Sequence, residues 1–138
     1  MAVVFGLAVG LGVWSSFAIR RTADRRANLI DTMVLRVPVI PGARVLVPWQ
    51  PVADVDLAHM NLCFDNMNGA DAVARFAAAL AGTPWRLTPA ENATIDFPAV
   101  AATDGSYRLR AAAESGHRID CDTAKNQILV SVEAAPVR

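Results

Sequence analysis

The chain lacks an excess of either charge: 13 basic residues balance 13 acidic ones over 138 positions. A nucleic-acid binder needs clustered Arg and Lys to neutralise phosphates. From residue 45 onward there are seven basic residues against eleven acidic ones, so nucleic acid is not an expected partner. Catalytic signatures are missing too. There is no G-x-S-x-G, P-loop or H-E-x-x-H, the spacings that build a nucleophile elbow, a phosphate cradle or a zinc peptidase. No catalytic residue and no cofactor are expected, and the chain reads as a non-enzyme. In "DNMNGAD", Met67 stands where a calcium loop needs an oxygen ligand. Asp54 with Asp56 and Asp120 with Asp122 read as solvated alternate residues. No internal repeat or low-complexity segment is present.

Cysteine and histidine are scarce, two of each, and all four fall in "HMNLC" at 59–63 and "HRIDC" at 117–121. A tetrahedral metal site would need His59, Cys63, His117 and Cys121 to converge within about 2.0–2.3 Å of one ion. On a helix, residues four apart share a face; on a strand they lie about 13 Å apart. We read 59–63 as helix and 117–121 as strand, which disfavours metal. A disulfide between Cys63 and Cys121 needs only a helix lying over a sheet, and in the chain-entropy model it stabilises by about 4 kcal/mol. Disulfide, free thiols and metal all stay open, with the disulfide favoured.

What the sequence does have is an uncharged apolar run, residues 2–19, "AVVFGLAVGLGVWSSFAI". Eighteen such residues are about the least that cross a bilayer core, so a single-pass transmembrane anchor is expected over 1–19. A cleaved signal peptide ending near Ser16-Phe17-Ala18 is disfavoured because the run lacks a basic n-region. Gly6 and Gly10 form a G-x-x-x-G that would let a second helix approach. Arg20, Arg21, Arg25 and Arg26 then suit an interface with anionic head groups. Ala23, Ala27, Ile30, Val34 and Val37 recur at heptad-like steps and predict an amphipathic helical stalk over 20–37, ended by Pro38 and Pro41.

The remaining residues, 38–138, predict a small α+β domain: an antiparallel sheet with one or two packed helices. "PGARVLVPWQP" reads as a turn and a strand. "NGADAVARFAAALAG" reads as a helix capped by Asn68, with Val73, Phe76, Ala77 and Leu80 facing the core. "WRLTP" pairing with "ATIDFP", then "SYRLRAAA" and "QILVSVEA", complete the sheet, with Asp104-Gly105 a hairpin signal.

An apolar N-terminal helix, an amphipathic continuation, a helix-and-sheet head and one late cysteine pair together resemble type IV pilins and pseudopilins, or the assembly subunits of pilus and secretion machines. Phe5 stands where those families carry glutamate. The resemblance implies a structural subunit of a bacterial envelope complex acting through helix and domain packing. Its partners would be the lipid bilayer and other subunits or further copies. It would sit in the inner membrane with its domain in the periplasm, or in the cytoplasm if Met1 is the start and the positive-inside rule governs. A membrane-tethered metal- or ligand-binding module is the alternative, with a membrane-associated enzyme built on His59 or His117 behind it.

Overall fold

The computed structural model describes the backbone of residues 2–138 and the side chains of residues 19–138. Helix α1, Ala2–Arg36, is followed by strands β1, Ala43–Pro51, and β2, Ala58–Asp65. Helix α2, Gly69–Ala79, leads into β3, Arg86–Thr88, β4, Ala99–Thr103, β5, Tyr107–Glu114, and β6, Gln127–Pro136. All pairings are antiparallel, and the six strands lie in the order β1-β2-β6-β5-β4-β3. The last strand thus fills the centre, and α2 carries the chain from one half of the sheet to the far edge.

Strand periodicity explains the layering. Along β2, Ala58, Met60, Leu62 and Phe64 are buried and point to one face. Leu109, Ala111 and Ala113 on β5 and Val130 and Val132 on β6 continue that face. Helix α2 covers it with Val73, Phe76 and Leu80, as the sequence pattern anticipates, and Ala77 is half-buried. Its start is fixed by Asn68, whose side chain accepts the N–H of Asp71 at 2.8 Å. The C-terminal part of α1 lies on the same core through Leu29, Met33 and Val37.

The end of α1 is fastened by polar contacts. The Trp85 indole N–H donates to the Arg36 carbonyl at 2.9 Å, satisfying a helix-end acceptor that would otherwise be an orphan. The Arg36 guanidinium reaches Asp104 at 2.6 Å and lies 5.2 Å from the Tyr107 ring centroid. Asp104 also accepts the N–H groups of Ser106 and Tyr107 in the β4–β5 turn, where Gly105 takes φ +93°. Its side chain is only 3% exposed. Burial pushes this carboxyl up, but the hydrogen bonds from Arg36, Tyr107 and Ser106 outweigh it, and the group is held below its ordinary value of 3.8.

Several expectations are corrected. Among the described residues no helix is long and apolar enough to cross a membrane. The expected transmembrane anchor, the single-pass inner-membrane placement with a periplasmic domain and the pilin-like layout built on that anchor therefore do not stand. The run 2–18, with Gly6 and Gly10, lies outside the residues whose side chains are described. The fold is dominated by a six-stranded antiparallel sheet with α1 and α2 on one face, rather than by a transmembrane helix with a small appended sheet.

Local readings change as well. "HMNLC" is strand, not helix: its core-facing alternation is masked because Cys63, on the opposite face, is buried too. "HRIDC" is a loop touched by one isolated bridge, His117 to Asp122. β3 pairs with β4, and "ATIDFP" contributes only loop before it.

Candidate functional site

The face of the sheet away from the helices carries the sequence's chemistry. Cys63 on β2 and Cys121 in the β5–β6 connection, 58 positions apart in sequence, form a disulfide with Cα atoms 5.8 Å apart. The sulfurs sit with Leu129, and Leu46 packs against them, in a small cluster separate from the main core. The connection is otherwise held by polar contacts. Asp122 accepts the N–H of Ala124 at 2.9 Å and lies 2.8 Å from His117 Nδ1. The Ala124 N–H and then His117 keep the Asp122 carboxyl below its usual range. Arg44 ties β1 to this region: its guanidinium donates to Asp65, to Cys63 Sγ at 3.4 Å and to the Asp120 carbonyl at 3.3 Å. Asp65 is lowered by Arg44 first and by Gln127 second.

This arrangement separates the four residues that sequence symmetry had paired. Both sulfurs are spent in the disulfide, so neither offers the thiolate a metal requires. His117 turns to Asp122 in an exposed loop. His59 lies on β2 opposite Gln50 and Glu133, with a buried Nδ1 that has no hydrogen-bond partner. Among the described residues no three His, Cys, Asp or Glu side chains are grouped to hold a metal ion.

The second feature is apolar and lies on α1. Of the expected stripe, Val37 is buried and Ile30 half-buried, whereas Ala23, Ala27 and Val34 face solvent. The helix lands on the sheet through Leu29 and Met33 instead. At 3.6 residues per turn that buried line is rotated by roughly 80° from the expected one, so a second apolar line stays uncovered. At its end Val34 and, just past the helix, Val39 are 61% and 92% exposed. Beside them a groove of about 170 Å³ runs between the helix end and β1, with Pro38, Val45 and Trp49 among its walls. β1 is a free sheet edge whose pairing with β2 is interrupted by two register shifts. Arg20, Arg21 and Arg25 are exposed, and Arg26 is half-buried with an Nε that has no hydrogen-bond partner.

No family model, curated protein or solved structure matches this chain. The site therefore stands on its own geometry. Two features escaped the sequence reading: the rotation of the helix on the sheet and the apolar groove flanked by Val34 and Val39. The i, i+4, i+8 spacing of Leu29, Met33 and Val37 carried a signal for the first.

Proposed function

We propose that this protein is a structural assembly subunit that associates with further copies of itself through the outer line of α1 and the adjoining β1 edge. The carrying observation is that Val34 and Val39, both more than half exposed, line one apolar groove at the end of α1. Apolar side chains left uncovered beside a groove are a natural contact for a partner of a folded domain. The free β1 edge beside it supplies backbone donors and acceptors for the same contact. The apolar groove between them gives the partner a concave seat.

Sedimentation velocity on the full-length chain tests the reading. The average mass rises with concentration, and Val34→Asp together with Val39→Asp weakens association by at least about tenfold, since each buries a charge at the contact. A monomer at every concentration, or an unchanged association in the double variant, removes the proposal.

A further inference from the structure

The helix-free face of the sheet holds a cleft of about 420 Å³ between β6 and the β3–β4 connection. Its floor is flat because Ala101 and Ala135 bring only methyl groups to that face. Its walls include Leu57 and Val137. The size falls in the range of small-molecule sites.

The charges on this floor follow from register. One row across the sheet runs Gln50, His59, Glu133, Arg110, Ala101, Thr88 from β1 to β3. The next row on the same face places Arg108 between Ala135 and Thr103. Arg110 and Glu133 are direct cross-strand neighbours, whose Cβ atoms such pairing sets about 4.5–5.5 Å apart. Yet among the described residues the ion pairs join Arg36 to Asp104, Arg44 to Asp65 and His117 to Asp122. Arg110 instead turns to the loop before β4 and donates to the Glu91 carbonyl at 3.4 Å. That single long bond leaves most of its five donors unspent. The cleft thus presents a cation and an anion side by side over an apolar floor, each still open to a ligand.

We infer that this cleft binds a small zwitterion with an apolar side chain, a free amino acid or a dipeptide. Arg110 and Arg108 receive its carboxylate, where a guanidinium fork matches two oxygens. Glu133 receives its ammonium group, and the side chain lies on Ala101 and Ala135 toward Leu57. A ligand with only one of the two charges would leave its opposite partner in the cleft desolvated and unmatched, which is costly. The row therefore selects for both charges at once. The inference is independent of self-association, because the cleft and the α1–β1 corner share no residue.

Titration of the 15N-labelled full-length chain by NMR, with L-leucine and Leu-Leu as probes, tests this. The backbone amides of Ala101, Arg110 and Glu133 shift in a saturable way with at least one of the two, and the tighter probe tells a free amino acid from a peptide. Arg110→Ala and Glu133→Gln, both on the sheet surface, each weaken binding by about tenfold or more. 4-Methylpentanoate, which lacks the ammonium group, and isoamylamine, which lacks the carboxylate, bind at least about tenfold more weakly than the zwitterion. Equal binding of either half-charged probe, binding unaffected by the two substitutions, or no saturable shift with leucine or Leu-Leu would overturn the inference.

Discussion

The two faces of the sheet are stabilised by different physics. The helix-covered face is a continuous apolar layer in which Phe64, Phe76, Leu109 and Val130 are fully or almost fully buried. It gains from area removed from water, about 25 cal/mol per Å². Among the described residues the other face has only the Cys63–Cys121–Leu129 cluster as buried apolar matter, and around it hydrogen bonds, Arg44 and one covalent link. Packing is non-directional and tolerates no polar groups in its midst. The uncovered face can carry arginine and glutamate because water solvates them. Apolar packing and polar chemistry are therefore divided between the faces, and the disulfide ties the β5–β6 connection to β2 on the face that has no second large core.

Removing packing from the covered face gives the largest effect. Phe64→Ala, by denaturant unfolding, costs about 3–5 kcal/mol through lost burial and a residual cavity. A loss below about 1 kcal/mol would mean that the covered face is not the main source of stability. Replacing both cysteines by alanine comes next. By the usual weight of a native disulfide it costs about 2–4 kcal/mol, and amide hydrogen exchange should rise over 115–126 while the Phe64 and Val130 amides stay protected. Equal loss of protection on both faces would break the division drawn between them.

The smallest of the three effects concerns the polar clamp at the end of α1. Asp104→Asn costs about 1–3 kcal/mol near neutral pH, by the weight of hydrogen bonds to a buried charge. Its pH dependence has a definite sign. The folded carboxyl is held below 3.8, so its contribution is complete above that value and is lost as pH falls through the lower, folded-state value. Stability of the wild type should therefore fall more steeply than that of the variant as pH drops below about 3.9, the reference for an unfolded aspartate. Parallel curves would show that Arg36 and Asp104 do not interact measurably.

Much of the strand and helix pattern was legible locally. Asn68 capping, the Val73-Phe76-Leu80 stripe and the Asp104-Gly105 turn each rest on neighbours within one or two turns of chain, and each appears where the sequence puts it. The candidate sites were not legible, for long-range reasons. "HMNLC" hides its strand character because Cys63 is buried by a residue 58 positions away. Arg110 and Glu133 are 23 positions apart (133 − 110) and meet only through β5–β6 register. The heptad reading of α1 chose one of two adjacent apolar lines, and only the sheet decides which one is covered.

Sequence alone determined the elements whose causes are local: alternation along β5 and β6, the cap and apolar stripe of α2, the turn at Gly105, and a cysteine pair available to join. Tertiary structure decided the strand order, the seating of α1, the fate of the two histidines and the charge pair over the alanine floor. The reason is physical. Periodicity states which side of an element avoids water, whereas register and crossing geometry, set by the whole packed core, state which side chains from distant segments share the remaining surface.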